Sequence, residues 1–66
     1  HATFRLLERG VDVHEAKKIA KQGTVIKTDF NGIMTKSGIS SNNKSIIVIC
    51  KKEGSKIVII TAYYAN

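Results

Sequence analysis

The sequence predicts an α+β fold, two N-terminal helices packed on a four-stranded antiparallel β-sheet, and three observations carry that prediction. Apolar residues from Phe4 to Ala20 recur at the spacing of a helix face. From Thr24 onward the pattern shortens toward a period of two and β-branched residues dominate. Between these stretches stand the Gly, Asn, Asp and Ser residues that turns require. Helices followed by a run of strands, with no repeat and no linker, describe a single domain over residues 1–66.

Residues 1–9 read as the first helix, with Phe4, Leu6 and Leu7 on an apolar arc. Beside that arc His1, Arg5 and Arg9 recur every fourth position, which stacks them on one stripe at about 100° per residue. Gly10 ends the segment. Asp12 then caps a second helix, Glu15 stands where a capping box closes, and Val11 and Ala16 form a hydrophobic staple. This helix runs to a left-handed turn at Gly23, with Val13, Ala16, Ile19 and Ala20 inward and Lys17, Lys18 and Lys21 outward.

The stretch TVIKTDF reads as the first strand, placing Ile26, Thr28 and Phe30 on one side. Asn31-Gly32 is a hairpin turn, IMTK a short second strand, and SGISSNNK a surface loop. SIIVICKK and KIVIITAYY are the strongest strands, joined at Glu53-Gly54. Strict alternation on the last puts Ile57, Ile59, Thr61 and Tyr63 on one face and Val58, Ile60, Ala62 and Tyr64 on the other. Neither strong strand has a polar face. One side is therefore expected against the helices and the other beneath the first helix, a second copy or a bound protein.

Hydrophobic residues are 42% of the chain, enough for a core, although a domain this small hides only about 60% of its unfolded surface. Cys50 lies inside an apolar run and reads as a small buried hydrophobe; a lone cysteine forms no internal disulfide. One Cys with His1 and His14 does not make a zinc site, so neither metal nor cofactor is expected. No apolar run approaches the roughly 18 residues of a membrane span. The opening residue is His, from which the chain reads as part of something longer. A net charge of +6 and a pI near 9.8 suit a polyanionic partner, RNA above all.

Thr61 and Tyr63 bring two hydroxyls to the end of a central strand. If the first helix crosses that end, His1 supplies an acid or base and Arg5 a fixed cation at the same point. Such a set suits cleavage of RNA without metal, because the ribose 2′-hydroxyl is the nucleophile and the protein only moves protons and steadies phosphorane charge. Lys51 and Lys52 track an RNA backbone in this reading, with Arg9 assisting. The plainer reading is a solvated basic face and ordinary strand formers; His14 reads as exposed and structural.

The runs HATFRLLERGVD, EAKKIAKQG and KIVIITAY together resemble a widespread set of small bacterial domains of unassigned function, with the pattern H-x3-R-x3-R-G and a closing T-x-Y. That pattern is similar to the barnase, EndoU, colicin and RelE group of ribonuclease toxins. The resemblance implies that His1, Arg5, Thr61 and Tyr63 are cleft residues and that the substrate is RNA, often transfer RNA. It also implies an acidic immunity protein or antitoxin as partner. The setting would be bacterial: an effector acting in the cytoplasm of a rival cell, or a cytoplasmic toxin of a toxin–antitoxin pair. Two other classes fit the same residues: a basic RNA- or DNA-binding module that does not cut, and a subunit of a protein assembly.

Overall fold

The computed structural model describes the backbone of residues 2–7 and the whole of residues 10–65. In chain order the elements are β1 (Ala2–Leu7), α1 (Val13–Gln22), β2 (Thr24–Thr28), β3 (Ile33–Ile39), β4 (Ser45–Glu53) and β5 (Lys56–Tyr64). They build one five-stranded sheet in the order β1-β5-β4-β3-β2. Strands β2 to β5 are antiparallel neighbours, and β1 joins the far edge parallel to β5, from Ala2 opposite Ile57 to Leu7 opposite Ala62.

This corrects the expected fold class. Among the described residues there is one helix, and the segment expected to be the first helix is an edge strand. Nine residues fall short of the roughly 12–15 that a helix needs to hold itself in water, while the free edge of β5 offers hydrogen-bond partners along the segment. A helical stripe of His1, Arg5 and Arg9 therefore does not form over an extended Ala2–Leu7.

The surviving helix follows its signals. The Asp12 carboxylate accepts the backbone N–H of His14 at 2.7 Å and of Glu15 at 3.4 Å. Glu15 does not serve the cap as expected: its Oε1 accepts the Ser41 N–H at 3.2 Å and ties the helix to the β3–β4 loop. Gly23 is extended, with φ −68° and ψ 164°, rather than left-handed. Its glycine requirement comes from proximity, since a Cβ there would lie 2.5 Å from the Ile19 carbonyl oxygen.

The helix lies on one face of the sheet. Ala16, Ile19 and Ala20 pack over Ile46, Val48, Cys50, Ile59 and Ala62, with Val11 closing the same cluster. Each fully buried Ile or Val in this set contributes roughly 1.5–3 kcal/mol. Strand β3 runs three residues beyond the expected IMTK, because Gly38 lets Ile19 settle on it. Lys36 shares that covered face and is 9% exposed; its Nζ donates to the Ala20 carbonyl at 2.6 Å, satisfying an orphan acceptor at the end of α1. Cys50 is buried there too, as expected.

The turns follow their residue chemistry. Asp29 Oδ1 accepts the N–H groups of Asn31 and Ile33, and Gly32 takes φ +82° to return the chain. Phe30, expected as the last residue of the first strand, sits on this turn and is 97% exposed. Glu53 pairs with Lys56 across a two-residue turn whose Gly54 has φ +65°. Between β3 and β4, Ser40 accepts the N–H groups of Asn42 and Lys44 on its hydroxyl, so the Ser/Asn-rich stretch is a hydrogen-bonded turn.

Candidate functional site on the open face of the sheet

Only one face of the sheet carries the helix. Strand β4 alternates with Ile46, Val48 and Cys50 buried and Ile47, Ile49 and Lys51 half-buried, as a strand covered on one side must. Because β1 extends the sheet laterally, it does not cover the second face as the first helix was expected to do.

A β-bulge decides which residues of β5 share that open face. Cys50 pairs with Ile59 and Ile49 with Thr61, so Ile60 is an extra residue with no partner in β4. Strict alternation fails here. Ile59 and Ala62 both lie under the helix, while Val58, Thr61 and Tyr63 take the register positions of Lys51, Ile49 and Ile47 on the open side. Tyr64 belongs to the helix side, where its hydroxyl donates to the Gly10 carbonyl at 2.9 Å and the Lys44 Nζ stands 5.3 Å from its ring centre.

Thr61 and Tyr63, both half-buried, thus share one face, as expected, but not with Ile57 and Ile59, which lie on the helix side. Lys51 joins Thr61 and Tyr63, whereas Lys52 pairs with Ile57 and takes the opposite side of β4. The two lysines expected to act together therefore lie on opposite faces of the sheet. His1 and Arg9 lie outside the described residues, as does the side chain of Arg5. The backbone of Arg5 runs in β1 between Phe4, opposite Ile59, and Leu6, opposite Thr61. His14, the other histidine, sits in the first turn of α1 and is exposed.

Toward the β4–β5 turn the open face deepens into a cleft of about 230 Å³ lined by Ile33, Lys51, Glu53, Val58 and Ile60. Of these only Lys51 carried a functional reading in the sequence. Alternation along β5 already groups Val58 with Ile60, but their company with Ile33 and Lys51 is set by cross-strand register, which stands Ile33 and Val58 on either side of Lys51. On the covered face, burial pushes the Cys50 thiol above its ordinary pKa, with the Lys36 ammonium nearby opposing that shift. Among the described residues no group of three His, Cys, Asp or Glu side chains is placed to hold a metal, and no helix is long and apolar enough to cross a membrane.

An α+β domain with one covered and one open sheet face is the class that this geometry defines. The chain belongs to the family described as Domain of unknown function (DUF4258), whose model matches residues 1–64. This agrees with the expectation of a small domain family of unassigned function. No curated protein and no solved structure matches the chain.

Proposed function

We propose that the domain is a metal-independent endoribonuclease of the toxin type, acting on RNA, transfer RNA in the leading case, laid across the open face of the sheet. The observation that carries this reading is the grouping on β5: two half-buried hydroxyls, Thr61 and Tyr63, on the uncovered face that Lys51 shares further along β4, and next to the strand that contains Arg5. Adjacent strands stand about 4.8 Å apart, within reach of an arginine side chain. The likeness of the sequence to ribonuclease toxins and its +6 charge support the same reading.

In the reaction, a base takes the 2′-hydroxyl proton, the 2′-oxygen attacks phosphorus, and the bond to the 5′-oxygen breaks as an acid protonates the leaving group. His1 supplies the acid or base, Arg5 the positive charge that offsets the negative charge growing on the phosphorane oxygens, and Thr61 and Tyr63 the hydrogen bonds that orient the phosphate. An acidic immunity protein or antitoxin would hold such an activity in check. The bacterial setting is delivery into a rival cell's cytoplasm or action within the producing cell.

Incubation with total tRNA in EDTA is expected to give discrete fragments ending in 2′,3′-cyclic phosphate. His1→Ala is expected to slow cleavage by about 10²–10⁴-fold. Absence of fragments from the unaltered protein overturns the nuclease reading. A second reading, binding of RNA or DNA without cleavage, is favoured by one observation: opposite Thr61 and Tyr63, β4 presents Ile49 and Ile47, neither able to move a proton. That reading predicts no turnover and an affinity that falls with salt at a log–log slope of about −0.7 per phosphate contact on single strands.

A further inference from the structure

The cleft at the turn end of the open face combines an apolar bed with two opposite charges. Val58, 7% exposed, forms its floor, and Ile33 and Ile60 are its half-buried walls. Lys51 and Glu53 stand two positions apart on β4, so both side chains rise from the same face, about 7 Å from each other along the strand. Among the described residues neither makes a hydrogen bond or an ion pair. Ligand pockets for drug-sized molecules begin near 300 Å³, so about 230 Å³ suits a single ring system rather than a larger ligand.

We propose that this cleft binds a guanine base of the RNA, an inference that rests on RNA lying over the open face and adds the base that is recognised there. A flat heterocycle fits an aliphatic bed. The charged pair then selects among the bases: guanine presents O6 as an acceptor, followed along the same edge by N1–H and the 2-amino group as donors. The Lys51 ammonium donates to O6, and the two oxygens of the Glu53 carboxylate accept the two donors. Adenine, cytosine and uracil each offer a single donor group on that edge and leave one carboxylate oxygen unmatched. Because Thr61 follows Ile60 directly in β5, a base in the cleft brings its own phosphate toward Thr61 and Tyr63. The cleft is thereby a specificity subsite of the proposed nuclease, built from residues other than those assigned to chemistry.

The test titrates isotopically labelled protein with GMP, AMP, CMP and UMP in turn, following backbone amide shifts. GMP is expected to move Ile33, Lys51, Glu53, Val58 and Ile60 and to bind at least about tenfold more tightly than the other three. Glu53→Gln, at an exposed position, is expected to remove that preference and leave the remaining spectrum unchanged. Equal binding of all four nucleotides, shifts located elsewhere, or an unaltered preference in Glu53→Gln overturns the assignment. RNA cut with no preference for guanine overturns it while the nuclease reading stands. Selective GMP binding at the cleft by a protein that cuts no RNA supports it while the nuclease reading falls.

Discussion

Replacing Gly38 by alanine places a methyl group where Ile19 already sits. The new Cβ would lie 2.6 Å from Ile19 Cγ1 and 3.0 Å from its Cδ1, well inside ordinary contact. Ile19 is itself pinned, being 4% exposed with its helix seated on β3, β4 and β5, so the clash is relieved only by lifting α1 or forcing a rotamer. Overpacking of this kind costs about 1–3 kcal/mol. For a domain of this size each kcal/mol moves the melting temperature by about 4–8 °C, so Gly38→Ala is expected to lower it by roughly 4–24 °C. Thermal and urea denaturation followed by circular dichroism measure the change. The same substitution made in an Ile19→Ala background separates this cause from others. With the offending side chain gone, the glycine's lost backbone freedom is all that remains, and alanine is then worth about 0.5–1 kcal/mol in favour of the fold. If Gly38→Ala costs the same in both backgrounds, close approach of Ile19 is not why glycine stands there.

Four further outcomes follow from the covered face and the helix cap. Asp12→Ala removes the acceptor for His14 and Glu15 N–H and is expected to cost about 1 kcal/mol, measured by urea denaturation, with Asp12→Asn largely neutral. Lys36→Met retains the apolar stem but loses the hydrogen bond to Ala20, so it should destabilise less than Lys36→Ala, which loses both; equal losses would show that the stem carries nothing. Cys50 should resist a thiol reagent in the native state and react on unfolding. Its folded pKa is raised, so above the unfolded thiol value of about 8.5 the unfolded chain binds fewer protons than the native one. Stability is therefore expected to fall as pH rises from about 8 toward 10, with a shallower slope in Cys50→Ala; parallel slopes refute the linkage.

The sequence by itself determined what depends on neighbours along the chain. Asp12 had to cap, since its carboxylate reaches only the N–H groups that follow it, and Asn31-Gly32 had to turn, although the turn opens at Asp29 and Phe30, which the sequence placed in the strand. The runs from Ser45 to Lys52 and from Lys56 to Tyr64 were strands on the strength of their β-branched side chains, and the buried Cys50 came with them. Other features were decided by contacts distant in the chain. Whether residues 2–7 coil or extend depends on an edge of β5 more than fifty positions away, and a helical spacing of nine residues is too weak to overrule it. Gly38 looked like loop because the reason for glycine there is Ile19, and Gly23 looked like a left-handed stop because its tight contact with the Ile19 carbonyl is invisible in a string of letters. The placing of Thr61 beside Tyr63 was legible; the company they keep was not. One unpaired residue, Ile60, moves every later side chain of β5 to the other face relative to Ile59, and a register shift of that kind is set by pairing with β4, which only the assembled sheet supplies.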